Sequence, residues 1–260
     1  MLDKHIKTLY PKIQKITFEE ASDMFAAYST LASNQVLTDI LFEKSGVQCN
    51  SKDVRSIINY TTVSKYPNET TIKSAFINNV LSKTKNHISI FELNTINCRV
   101  DLCKINGESI AFEIKTDLDN LKRLNNQLTD YLNVFEEVYV ICSQDKQESI
   151  LLAIPECVGI YTYRINRLGN YTFTKTKSAS RNHDLSPNMQ LKLISKTDKL
   201  KYAIDENSHP DKINFVFKQA LKNKYSKHWN FLIENKDIIY DIDYQWFFKN
   251  QIEPSIVYNY

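Results

Sequence analysis

The apolar positions of this chain change their period twice. Over residues 1–66 they recur at helical spacing: Thr17-Phe-Glu-Glu20 reads as a capping box ahead of a stripe at Phe25, Tyr28 and Leu31. A second stripe, Val36, Ile40 and Leu41, runs to a stop near Gly46, and Ser51 is placed to cap a third helix through Ile57 and Ile58. Tyr66-Pro67-Asn68 is a turn signal that closes this region. Thr70 to Lys83 predicts an amphipathic helix with Ile72, Phe76, Val80 and Leu81 on one side. The runs Ile88 to Leu93, Val100 to Ile105 and Ser109 to Lys115 then read as strands. Asp117 to Phe135 reads as one long helix with Leu118, Leu121, Leu124, Leu128 and Leu132 on its core face. Glu137 to Cys142 is a buried-strand pattern, and Gly159 to Ile165 with Tyr171 to Lys175 form a strand pair turning at Leu168-Gly169-Asn170. Beyond residue 186 helical spacing returns, at Asn188 to Ser195, Thr197 to Ile204, Lys212 to Tyr225 and Tyr240 to Asn250.

The order α-β-β-β-α-β predicts an α/β fold with a mixed sheet flanked by helices. Three regions follow: a helical N-terminal region, 1–66, a core, 67–178, and a helical C-terminal region, 179–260. Tyr225, Trp229, Phe231, Trp246, Phe247 and Phe248 make the last region aromatic, and a small helical core is a commoner use of them than base stacking. Asp241 and Asp243 read as a helix start.

Composition narrows the function classes. A chain of 260 residues with 42% hydrophobic content can sustain a real core. No apolar run reaches the ~18 residues of a membrane span. The opening Met1-Leu2-Asp3-Lys4-His5 lacks a secretory pattern, so a cytoplasmic protein without membrane contact is expected. Five cysteines without a CxxC pair read as reduced thiols. The net charge of +3 is too small to argue for nucleic acid by itself, and the lysines at 175–177 and 218–227 read as solvated faces. Four glycines exclude a P-loop or a GxGxxG turn. The five histidines are scattered, with no zinc-binding helix motif.

Candidate chemistry concentrates in Arg99 to Lys115. Asp101 lies on one strand and Glu113 and Lys115 on the next, where alternation puts the latter two on one face and Phe112 and Ile114 on the other. Register decides whether the acids meet. A two-residue turn at Asn106-Gly107 pairs Asp101 with Phe112 and separates the carboxylates, whereas a three-residue loop, Asn106-Gly107-Glu108, pairs Asp101 with Glu113. In the second case the Cβ atoms sit ~4.5–5.5 Å apart, and such a pair repels unless a cation or proton neutralises it. Hard oxygen donors point to Mg²⁺ or Mn²⁺. A plain surface salt bridge of Lys115 with either acid is the competing reading. Glu92 ends the preceding strand beside the hairpin, and Arg123, Gln127 and Tyr131 form a polar stripe beside the leucine face of the following helix.

Taken in order, Glu92, Asp101, Glu113-Ile114-Lys115 and Gln127-x-x-x-Tyr131 resemble the PD-(D/E)xK nuclease superfamily, specifically its RecB-like branch. Phe112 to Leu121 followed by Asn126 to Tyr131 is similar to a family of small standalone bacterial nuclease-like proteins. The resemblance covers roughly residues 68–145 and implies a restriction-endonuclease-like core acting on DNA with Mg²⁺ or Mn²⁺. It implies Asp101 and Glu113 as metal ligands with the Ile114 carbonyl, Glu92 as auxiliary ligand or base, and Lys115 as catalytic lysine. Gln127 and Tyr131 would position the DNA backbone or the site's own carboxylates, with Arg123 beside them. Val100 departs from the family's proline before the aspartate. The expected function is a metal-dependent deoxyribonuclease acting on single- or double-stranded DNA. The alternative is a catalytically silent nuclease-fold module binding nucleic acid or a protein partner, with the helical regions as a surface for a partner or a homodimer.

Overall fold

Thr17 starts a helix as its sequence dictates: the Thr17 hydroxyl accepts from the Glu20 amide and Glu20 accepts from the Thr17 amide, closing a capping box. In the computed structural model, which describes residue 6 and residues 8–258, this helix is α1, Phe18–Ala27. It is followed by α2, Asn34–Ser45, α3, Val54–Lys65, and α4, Glu69–Asn79. The strands β1, Ile88–Asn94, β2, Arg99–Asn106, and β3, Glu108–Lys115, lead into α5, Leu124–Leu132. Next come β4, Glu137–Ser143, α6, Gln147–Ala153, β5, Gly159–Ile165, and β6, Tyr171–Lys177. The chain ends through α7, Pro187–Leu193, α8, Lys196–Tyr202, α9, Pro210–Asn235, α10, Tyr244–Asn250, and α11, Pro254–Tyr258. The segment Met1 to His5, read above for a secretory pattern, lies outside the described residues.

The fold is α/β, with one six-stranded mixed sheet in the order β1-β2-β3-β4-β5-β6. Strands β1, β2 and β3 pair antiparallel, and β3-β4 and β4-β5 pair parallel across the connections that carry α5 and α6. Parallel neighbours need helical crossovers, and strands inside such a sheet bury side chains on both faces. That is why Ala111 to Lys115 are buried without exception, although alternation alone predicts a core face and an outer face.

Contacts divide the chain into two units. One comprises residues up to Phe76, Ile165–Tyr171 and Phe231 onward; the other comprises Ile77–Arg164 and Thr172–Asn230. In the first unit Leu37, Leu41, Met24, Ile57 and Ile58 form the core with Ile242. Some stripes shift from their sequence positions. α1 ends at Ala27 and buries Ala21 and Met24, while Leu31 and Val36 are exposed. The third helix starts after Asp53 instead of Ser51, where Asp53 accepts a 2.7 Å hydrogen bond from the Tyr10 hydroxyl. The aromatic C-terminal end is core: Phe247, Phe248 and Tyr258 are buried in this unit. Asp243, fully buried in the 3-10 turn Asp241–Asp243, accepts from Tyr28, Thr30 and Tyr258 at 2.7–2.8 Å. Burial pushes its carboxyl pKa up, against the opposing pull of those hydroxyls and of the Arg55 charge.

In the second unit Trp229 of α9 packs against His87, and Phe217 meets Phe135 edge-on. Glu136, at the entry to β4, is 1% exposed and satisfied by the Ser109 amide at 2.7 Å, Arg181 at 2.9 Å, Asn214 at 3.1 Å and Lys218 at 2.9 Å. Lys218 therefore serves a buried acid and does not belong to a solvated face. Burial alone raises the Glu136 pKa, but the Lys218 and Ser109 hydrogen bonds outweigh it and hold the carboxyl below its ordinary 4.5. A depressed folded-state pKa adds stability above the unfolded value and loses it as pH falls through the folded one. Glu136→Gln is thus expected to flatten the acid limb of the stability profile, read as urea midpoints between about pH 3 and pH 7. Parallel wild-type and variant profiles would refute this.

Candidate active site

The hairpin turns as the site requires. Asn106 pairs with Glu108 across Gly107, whose φ of +73° suits a residue without a side chain. The ladder then runs from Ile105-Ser109 to Leu102-Phe112, a register that carries Asp101 level with Glu113. On the other side Phe91-Leu102 and Leu93-Val100 carry Asp101 level with Glu92. Glu92 holds a left-handed φ of +54°, which interrupts β1 instead of ending it, since the strand continues to Asn94. Left-handed backbone is costly for a residue with a side chain, and such strain gathers where a side chain must be aimed. Here the Glu92 and Asp101 carboxylates come within 4.8 Å of one another.

The charges are balanced differently from the sequence expectation. Asp101 accepts from the Ile114 amide at 2.7 Å, so the contact seen for Ile114 is through its N–H. Glu113 is 1% exposed and takes the Lys115 ammonium at 2.6 Å on Oε1. Its Oε2 lies 2.7 Å from the Tyr131 hydroxyl, which is also 2.8 Å from the Arg99 carbonyl. The Glu113–Lys115 pair is thus a buried ion pair, not a surface one, and buried pairs are costly to break. Glu92 pairs with Arg99, whose side chain is largely exposed.

Helix α5 supports this cluster. Gln127 Oε1 accepts from Lys115 at 3.0 Å, Tyr131 is fully buried against Glu113, and Asp130 receives Thr95 and Asn97 from the β1-β2 turn. Burial first, and then the Glu113 charge, push the Tyr131 phenol pKa far up, so it stays protonated and donates. Arg123 is exposed at the N-terminal end of α5 with no cap hydrogen bond, apart from the set that Gln127 and Tyr131 complete.

The helix itself is shorter than its leucines suggest. It begins at Leu124, and Leu118 is 67% exposed. Residues 116–123 turn instead, because Asp119 accepts from the Thr116 amide and hydroxyl and Lys146 donates to the Thr116 and Asp119 carbonyls. Asp and Asn side chains that bond nearby backbone compete with helix in this way. Lys146 and Asp130 thus position the site without any motif signal of their own.

As a donor set, Glu92 and Asp101 offer hard carboxylate oxygens of the kind Mg²⁺ and Mn²⁺ prefer, and Glu113 stands next in register.

Comparison with known proteins places most of this chain. Protein cII of Enterobacteria phage P4 is 37% identical over 68 residues, which is 26% of this chain and 26% of that relative. The match thus spans about a quarter of the curated relative's length. Among solved structures, the SPO1766 protein of unknown function from Silicibacter pomeroyi aligns over 53% of this chain and 91% of its own, at 16% identity and a TM-score of 0.35. The family model of bacteriophage P4 protein cII matches residues 62–253, about three-quarters of the sequence, and the chain belongs to that family.

Proposed function

We propose that this protein is a metal-dependent deoxyribonuclease, working in the cytoplasm with residues 67–178 as its catalytic core. The observation that carries the reading is the register of the hairpin. Asp101 is level with Glu92 and Glu113, while Lys115, Gln127 and Tyr131 converge on the same cluster. The ordered PD-(D/E)xK and QxxxY resemblance supports the same conclusion. Glu92, Asp101 and Glu113 would hold Mg²⁺ or Mn²⁺, which supplies Lewis acidity and a water of lowered pKa.

The chain's own residues account for the rest. Lys115 brings a positive charge to a site shielded from water, where it stabilises charge that develops on a transferring phosphoryl group. Gln127 fixes the ammonium, and Tyr131 fixes the carboxylate that the ammonium faces. Both reduce the motion that would otherwise blur the geometry. One observation favours the silent-module reading: Lys115 and Tyr131 engage both oxygens of Glu113.

Incubation with supercoiled plasmid, linear duplex and single strands separates the readings. Cleavage is expected with Mg²⁺ or Mn²⁺, none in EDTA, and none by Asp101→Ala in any condition. Cleavage that persists in EDTA or in the variant would overturn the proposal, and binding without cleavage throughout would favour the silent module.

A further inference from the structure

A hollow of about 300 Å³ opens beside the candidate site, walled by the Glu92 end of β1 and by α7, α8 and α9. Glu92 lines it, so the hollow touches the residue whose carboxylate approaches Asp101. Phe217 and Leu221 form an apolar floor, Tyr225 is half-buried at the wall, and Lys192 and Lys224 are exposed at it. A second hollow of about 610 Å³ shares Lys192 with it and adds Lys199 together with the exposed acids Asp205 and Glu206, so the basic wall is that of the first hollow.

The charges in this track are unequal in availability. Glu92 is paired with Arg99, and Asp198 is engaged by the Ser195 hydroxyl at 2.6 Å at the start of α8. Lys192 and Lys224 form no ion pair among the described residues. Lys224 lies over the Tyr225 ring at 5.0 Å, which joins a cation to an aromatic face. An aromatic wall beside unpaired lysines suits bases and phosphates of a strand whose bases are unpaired, since bases locked in a duplex cannot reach a side-chain platform.

We propose that this track binds single-stranded DNA and delivers it past Glu92, with Tyr225 stacking a base and Lys192 and Lys224 holding phosphates. The proposal rests on the nuclease reading for its purpose, but it is tested without cleavage. Fluorescence anisotropy in EDTA would use an oligothymidine of about 20 nucleotides and a mixed-sequence duplex of equal length. The wild type should prefer the single strand. Lys192→Glu with Lys224→Glu should weaken single-strand binding at least tenfold and reduce the log–log salt slope by about 1.4, at ~0.7 per lost phosphate contact. Tyr225→Ala should weaken it about tenfold while leaving the salt slope unchanged. Lys227→Glu, on the same helix but outside both hollows, is the control and should change neither hollow's affinity.

Equal binding of duplex and single strand, no single-strand binding, or lysine variants no weaker than Lys227→Glu would each overturn the track. The two readings fail separately. Single-strand binding lost in the track variants, without metal-dependent cleavage by wild type, keeps the track and removes the nuclease. Cleavage by wild type with track variants that bind normally does the reverse.

Discussion

Replacing Lys115 with methionine is expected to lower plasmid cleavage about 10²- to 10³-fold, the usual consequence of removing one preorganised positive or donor group from a shielded site. The same change is expected to cost about 3–5 kcal/mol of stability, because Glu113, 1% exposed, would lose the ammonium that pairs its carboxylate. Tyr131 would remain as a donor to the carboxylate, and one phenol does not replace an ammonium at 2.6 Å. The double variant Glu113→Gln with Lys115→Met removes both charges, so most of the lost stability should return while activity stays absent. Urea denaturation and plasmid cleavage kinetics together read this out. A Lys115→Met protein that cuts at the wild-type rate removes the lysine from the mechanism. A double variant no more stable than the single one removes the ion pair from the stability argument.

Asp243→Ala should be the most damaging change in the other unit, with an expected loss of about 3–5 kcal/mol in urea denaturation. Three hydroxyls, from Tyr28, Thr30 and Tyr258, would lose their acceptor in a fully buried place. Arg55 is also buried, stacked 5.0 Å over the Tyr258 ring, and would lose the nearby negative charge. Its remaining partners are the Asn34 amide oxygen, the Tyr28 hydroxyl and the carbonyls of Thr30 and Ala32. Asp243→Asn keeps the shape and one acceptor, so its cost should be about 1–3 kcal/mol. Equal stability of the alanine variant and wild type would show that the network contributes nothing net.

Local rules made much of this protein legible before its fold was known. The capping box at Thr17 and Glu20, the left-handed stop at Gly46 and all six strands follow from side-chain spacing and turn chemistry. The hairpin register stays open under the same rules, since Asn106-Gly107 suits a two-residue turn as well as the three-residue loop, and the strand ladder is what brings Asp101 level with Glu113. Where prediction strayed, nonlocal contacts were the reason. The leucines of residues 117–135 spell one helix, but Lys146, some 30 residues away, helps to hold 116–123 in a turn. α9 continues to Asn235, well past Tyr225, and one side of that extension is fixed by burial of Trp229 against His87.

Sequence by itself determined the order of the strands and the α/β class, because these depend on periods of two and 3.6, whereas the level of Asp101 with Glu113 stood between two loop lengths. Only the tertiary structure decided what those acids touch. Glu113 is buried in β3, paired with Lys115 and hydrogen-bonded by Tyr131, and Glu92 is turned by a left-handed backbone toward Asp101. Asp243 meets Tyr28 across 215 residues of chain. Burial and charge pairing are properties of what packs around a residue, and no local pattern of side chains encodes them.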